Sequence, residues 1–163
     1  VTGVQTCALP ISQPSDAQGQ VLLNMETLWQ QAYPSECVIV RPTGIYGTSV
    51  SRMIKLAETT KSYPKLQWSN RIHIDDLVAF LAHLLHVEHT EKFYICTNNR
   101  PFPLHEIIQW FQQQLGLPVL VLESDVPSGK QIYATRMQQM NFELQHPHCF
   151  DDYLALLAER ESK

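Results

Sequence analysis

The sequence predicts an α/β structure built in layers around a largely parallel sheet. Three observations carry this. Stretches with apolar residues at three- and four-residue steps alternate with short apolar runs. Those runs, such as Cys37-Val38-Ile39-Val40, are four residues long and apolar throughout, as in strands buried on both faces. The length, 163 residues, suits one domain or a large part of one.

The elements follow in order. Ser15-Asp16-Ala17-Gln18 reads as a capping box. Behind it Val21, Leu22, Met25, Leu28, Trp29 and Ala32 keep helical spacing to about Tyr33, and Pro34 ends the helix. The strand over residues 37–40 closes at Arg41-Pro42. Thr48 or Ser49 is a candidate cap for a short helix carrying Met53, Ile54 and Ala57. Asp75 or Asp76 opens the next helix, with Leu77, Phe80, Leu81, Leu84 and Leu85 on one face. Phe93-Tyr94-Ile95-Cys96 reads as a strand. Leu104, Ile107, Ile108, Phe111 and Leu115 form another helical stripe, stopped by Gly116 with Pro118 beyond it. Val119-Leu120-Val121-Leu122 is a third strand, and Phe150, Tyr153, Leu154, Leu157 and Ala158 define a C-terminal amphipathic helix.

Residues 1–11 fit neither period and lack an initiator Met. They are expected to be a non-native or unstructured lead outside the fold, with residues 12–163 forming the domain and something preceding the chain. An ordinary strand-and-loop start is the other reading.

Composition narrows the function. A net charge of −4 argues against nucleic-acid and anionic-membrane binding, which need a basic footprint. No apolar run reaches the roughly 20 residues of a membrane helix; Leu77 to Val87 is interrupted by His83 and His86. Cys7, Cys37, Cys96 and Cys149 are widely spaced without a CxxC pair, which fits free thiols in a reducing cytoplasm and no Cys-based zinc site.

The densest signal is Arg41-Pro42-Thr43-Gly44-Ile45-Tyr46-Gly47, directly after a strand. Ligands of open α/β sheets bind outside the carboxyl ends of strands; an ordinary strand-to-helix turn is the plain alternative. Asn70-Arg71-Ile72-His73-Ile74-Asp75-Asp76 is the second signal. His73 with a carboxylate nearby is either an acid–base pair or a bonded structural residue at a helix start. Arg71 is the better ligand candidate, because a guanidinium fork suits phosphate or carboxylate. His83, His86 and His89 do not share one helix face, and His146-x-His148 lacks further ligands, so no metal site is expected; the first three are expected to face solvent. Trp68 and Trp110 are expected to pack.

Taken in order, "RPTGIYG", "NRIHIDDL", "KFYICTNNRPFPLHEIIQWFQQQLG" and "SGKQIYATRMQQMNFELQHP" resemble the C-terminal half of an extended short-chain dehydrogenase/reductase. Within it they resemble the NAD-dependent epimerase/dehydratases and their atypical YeeZ-like subgroup, from about Ser12 onward. The resemblance implies an incomplete Rossmann-type parallel sheet with the small substrate-binding subdomain. It implies NAD or NADP as cofactor of the intact parent and a small-molecule substrate, such as a nucleotide sugar. Pro42, Thr43, Gly44 and Ile45 would lie near the nicotinamide, and Tyr46, Arg71 and Lys130 on the substrate side. For Lys130 a solvated loop residue is the alternative, and His73 and Asp76 would be structural.

Two departures bear on activity. The Gly-rich GxxGxxG loop, which offers backbone donors to the pyrophosphate, is missing; Gly3 has no suitably spaced companions. Counting back from Glu26, the places of the family's Tyr-x-x-x-Lys pair hold Gln18 and Leu22. A Lys⁺ lowers a Tyr from its free value near 10 so that the phenol can exchange a proton during hydride transfer. Gln18 and Leu22 cannot do this, so the chain alone is expected to be inactive. Arg71 also stands where the family's motif has an aromatic, with Ser69 in the arginine's place. The sequence therefore supports an NAD(P)-dependent oxidoreductase or nucleotide-sugar-epimerase-like protein, or a non-catalytic NAD(P)-responsive regulator or scaffold. Apolar faces left uncovered by half a sheet lead us to expect self-association, a homodimer among the options.

Overall fold

The structure, a computed structural model, describes Pro14 and residues 16–161. The expected lead over residues 1–11, with Gly3 and Cys7, and Ser12 and Ser15 lie outside the described residues. The chain runs α1 (Ala17–Ala32), β1 (Ile39–Pro42), β2 (Gly44–Tyr46), α2 (Ser51–Thr59), β3 (Ser62–Tyr63), β4 (Trp68–Ser69) and β5 (Arg71–His73). It continues with α3 (Ile74–Leu84), β6 (Phe93–Cys96), β7 (Phe102–Pro103), α4 (Leu104–Gln114), β8 (Val121–Leu122), α5 (Thr135–Gln139) and α6 (Cys149–Glu161). Among the described residues β1 pairs with β6, β2 with β5 and β3 with β8, all parallel, while β4 and β7 pair antiparallel. This is a mixed α/β architecture whose described strands form four short, mostly parallel pairs rather than the one largely parallel sheet expected.

The first helix is capped by Asp16, whose Oδ1 accepts from Gly19 N at 2.7 Å, one residue later than a Ser15-led capping box places it. Its carboxylate takes an N–H that the first turn cannot satisfy internally. At its end Tyr33 N donates to Trp29 O, and Pro34 follows. No residue of α1 is buried: Val21, Leu22, Met25, Leu28 and Trp29 are all more than half exposed.

The strand expected over residues 37–40 begins at Ile39 and is half-buried rather than buried on both faces, because among the described residues β6 is its one neighbour. The following segment is more than a turn. Thr43 N donates to Cys96 O and Gly44 N to Asn70 O, each at 3.0 Å, so the extended backbone leaves β6 and joins β5. Residues 44–46 are thereby strand, with Tyr46 opposite His73. At the start of α2 Val50 takes the cap position, and Ser49 Oγ accepts from Ser51 N at 3.1 Å. The strand expected over residues 119–122 keeps only its last two residues, because Leu120 N donates instead to Gln112 Oε1 at 2.7 Å. The amide nitrogen of this fully buried Gln112 donates to Ala57 O and Thr60 O, so one side chain joins the end of α2, α4 and the approach to β8.

Two apolar clusters result. One gathers Ile72, Leu77, Phe80, Tyr94, Cys96 and Met137 beneath β1, β5 and β6. The other joins α2, α4 and α6 through Met53, Ile54, Ile107, Ile108, Phe111 and Tyr153. The short helix α5, without a long enough apolar stripe to predict, supplies Met137 to the first cluster.

Two glycines with positive φ separate conformational from steric constraint. Gly116 (φ 65°) has open space where a Cβ would stand, whereas at Gly47 (φ 115°) a Cβ would lie 2.3 Å from His73 Nε2. Gly116→Ala is therefore expected to cost about 1 kcal/mol, the left-handed penalty alone. Gly47→Ala is expected to cost more than about 2 kcal/mol, because His73 must also move. Urea unfolding of both variants checks this; equal losses would contradict it.

Candidate functional site

Two regions gather the chemistry-bearing residues. The first lies at the carboxyl end of β1. Arg41 Nε donates to Glu26 Oε1 at 2.9 Å and its Nη2 donates to Glu26 Oε2, a forked ion pair that fastens α1 to the sheet. Between them lies a groove of about 560 Å³ lined by Leu22, Leu23, Met25 and Glu26 on one side and residues 39–42 on the other. Pro42 is exposed at its edge and Gly44 and Ile45 are exposed beyond it, while Thr43 is held by donation from its Oγ1 to Cys96 O at 3.1 Å. Leu22 thus faces the same groove as Pro42; Gln18, a turn earlier, is exposed. Neither can donate or take a proton at neutral pH.

The second region surrounds the start of α3. His73, not Asp75 or Asp76, caps this helix: its Nδ1 accepts from Asp75 N at 3.2 Å. Asp76 is fully buried and instead accepts from Gln145 N at 2.7 Å and His146 N at 3.0 Å, holding a segment about seventy positions away. His146 stacks on His73, with ring centroids 3.7 Å apart and planes 15° from parallel. His146 Nδ1 meets Asp152 Oδ1 at 2.7 Å, and Asp152 Oδ2 accepts from the Tyr46 hydroxyl at 2.7 Å. Burial pushes the Tyr46 phenol far above its ordinary value, with Asp152 adding to this, so it stays protonated. The hydroxyl is thus committed to the fold.

The ring nitrogens and Asp75 lie close enough to suggest a metal: His73 Nδ1 and His146 Nε2 are 3.7 and 3.9 Å from Asp75 Oδ2. Ring orientation opposes this. A metal ion sits in the plane of each imidazole that binds it, and nearly parallel planes held apart by stacking share no such point. His73 Nδ1 is also occupied by its bond to Asp75 N. The residues fit a hydrogen-bonded knot better than a metal centre.

Arg71 lies between the regions. Its Nη2 approaches Met53 Sδ at 3.9 Å and its guanidinium lies 5.8 Å from the Tyr153 ring centre. Its Nε and the Tyr153 hydroxyl are both buried without a hydrogen-bond partner among the described residues. Burial pushes the Tyr153 phenol up to about 12, with Arg71 acting in the opposite direction. Lys130 is exposed in the loop after Gly129, where its backbone oxygen accepts from Asn70 Nδ2 at 2.9 Å. His83, expected to face solvent, is half-buried against the rings of Phe80 and Phe142. Trp110 packs on Phe111 and Phe150. Asp152 and His146 were invisible as a pair with Tyr46 and His73 in the sequence, where no spacing rule relates them.

Tyr46→Phe keeps the ring but removes the proton donated to Asp152, and is expected to cost about 1–2 kcal/mol. Asp152→Ala leaves the Tyr46 hydroxyl and His146 without their acceptor and is expected to cost more, about 2–4 kcal/mol. Urea unfolding midpoints should rank in that order; the reverse order would show that the carboxylate does not hold the knot.

No family model and no curated protein matches the chain. Solved structures do. A candidate NAD-dependent epimerase/dehydratase from Methylobacillus flagellatus is 32% identical with a TM-score of 0.79, matching 94% of this chain and 56% of that one. A dTDP-4-dehydrorhamnose reductase from Clostridium acetobutylicum is 17% identical with a TM-score of 0.70, over 92% of this chain and 59% of that one. A dTDP-glucose 4,6-dehydratase from Bacillus anthracis, solved with NAD, is 17% identical with a TM-score of 0.65, over 89% of this chain and 52% of that one. The chain thus spans a little over half the length of the structures it matches. In fold, and in sequence to the first of these structures, the chain is similar to NAD-dependent epimerase/dehydratases.

Proposed function

We propose that the chain supplies the nicotinamide-side strand end and the substrate-side segments of an NAD(P)-dependent oxidoreductase of the nucleotide-sugar epimerase type. The observation that carries this is the exposed carboxyl end of β1 and the start of β2, residues 42–45, opening beside the groove under α1. Strand carboxyl ends are where open α/β sheets bind ligands. Gly44 offers backbone without a side chain, Pro42 an exposed ring and Ile45 a half-exposed apolar side chain, a surface that suits one face of a nicotinamide. Thr43 is fixed by its bond to Cys96 O and keeps that backbone in place. When bound, the nicotinamide would supply hydride transfer. The residues present do not include the glycines that cradle a pyrophosphate, so the tight cofactor anchor is not in this chain.

On the substrate side, Arg71 is the residue we assign to an anionic group. Arg71 is half-buried with its Nε withdrawn from water, and among the described residues no acidic side chain pairs with it; phosphate or carboxylate from a ligand would offset the cost of that burial. The dehydratase from Bacillus anthracis is named for a dTDP-linked sugar, and a nucleotide sugar would supply such a phosphate here. Lys130 borders this side on the loop tied to Asn70. Tyr46 supports the strand through Asp152 rather than meeting substrate.

A second reading rests on Gln18 and Leu22. With an amide and an alkyl group where a phenol and an ammonium would manage the proton, the whole protein would bind NAD(P) without turnover and act as a regulator or scaffold.

Calorimetry on this chain should show no micromolar binding of NAD or NADP; micromolar binding would contradict the missing anchor. UDP or dTDP should bind, and Arg71→Leu should weaken that binding at least tenfold; equal affinity in the variant would remove Arg71 from the site. In the whole protein, cofactor bound without hydride transfer to any sugar nucleotide would favour the second reading.

A further inference from the structure

The stacked histidines face each other across two parts of the chain: His73 ends β5 and caps α3, and His146 precedes α6. We propose that this pair is a proton-operated latch, in which proton uptake by His73 releases the segment 145–148, and with it the start of α6, from the start of α3.

Geometry makes the latch two-sided. His73 Nδ1 accepts from Asp75 N, so in the neutral ring the proton sits on Nε2, which faces Gly47. A second proton can go only to Nδ1, where it turns the acceptor into a donor and cancels the cap on α3. The same proton places a cation 3.7 Å, centre to centre, from the His146 ring. His146 favours its charged form through Asp152, so the added charge meets one of like sign. The freed Nδ1–H has an acceptor in reach, Asp75 Oδ2 at 3.7 Å, which gives the opened ring a place to turn.

The groups that act on the two rings come from every element packed there. They are Asp75 and Asp76 of α3, Asp152 of α6, Tyr46 of β2, and the rings themselves. Burial, followed by His146, lowers His73 below its ordinary value, with the three carboxylates opposing. The His73 contribution is therefore present above pH of about 6.5 and lost as pH falls through the lowered value. The bond to Asp152 raises His146, so its contribution is present below pH of about 6.5 and lost as pH rises through the raised value. The latch is tightest between these limits.

Hydrogen exchange followed by NMR reads the latch at the amides of Gln145 and His146, which donate to Asp76. Corrected for the intrinsic pH dependence of exchange, their protection should fall at least tenfold as the His73 ring titrates on the acid side. His73→Asn keeps a side-chain acceptor at the cap but takes up no proton, and should leave protection flat over the same range. The same loss in His73→Asn, or flat protection in the unaltered chain while His73 titrates, overturns the proposal. Should His73→Asn fail to fold, His146→Phe keeps a ring in the stack without its charge. The His73 titration should then move upward; an unmoved titration overturns the proposal equally.

Discussion

The handover of one extended segment between two partners sets the geometry of everything else. Residues 39–42 pair with β6, and residues 44–46 pair with β5. At the junction Thr43 and Gly44 send consecutive N–H groups to Cys96 O and Asn70 O. A backbone that left β6 without meeting β5 would carry unpaired donors in a half-buried place. Because the exchange is complete, the cluster holding Phe80 and Tyr94 and the cluster holding Phe111 and Tyr153 are joined through one extended segment, β1 followed by β2. Their shared edge is the backbone offered at residues 42–45.

The knot around Asp76 answers the same need from the other end. The chain between Met140 and Cys149 crosses from the first cluster to the second without regular structure. Its amides need partners, and a buried carboxylate that accepts two of them is well suited. Asp152 then spends one oxygen on His146 and the other on Tyr46, returning the start of α6 to the end of β2. Polar groups here do the joining that apolar packing does within each cluster.

Much of the fold was legible in the sequence. The stripe Leu104, Ile107, Ile108 and Phe111 became α4, and Phe93–Cys96 became β6, because local period and burial agree at these places. What period cannot express is competition for a backbone group. Leu120 looks like strand until Gln112 takes its N–H, and residues 43–46 look like a turn until β5 offers acceptors. The same holds at the site. Arg71 was visible as a candidate for an anionic ligand, and residues 42–45 as the segment that follows a strand. The partnership of Tyr46, His73, His146 and Asp152 depends on a crossing about seventy residues later in the chain, which no local pattern encodes.

The attachment of α1 has a further consequence. The helix buries none of its residues and is fastened by the Arg41–Glu26 fork, while Leu28 and Trp29 remain in water. Dissolved electrolyte acts on these two features in opposite directions. Counterions screen a partly exposed ion pair, while strongly hydrated anions such as sulfate drive apolar surface out of solvent. As ionic strength rises, the helix loses its grip on its own sheet while its bare face becomes more adhesive, so salting-out would start at this helix.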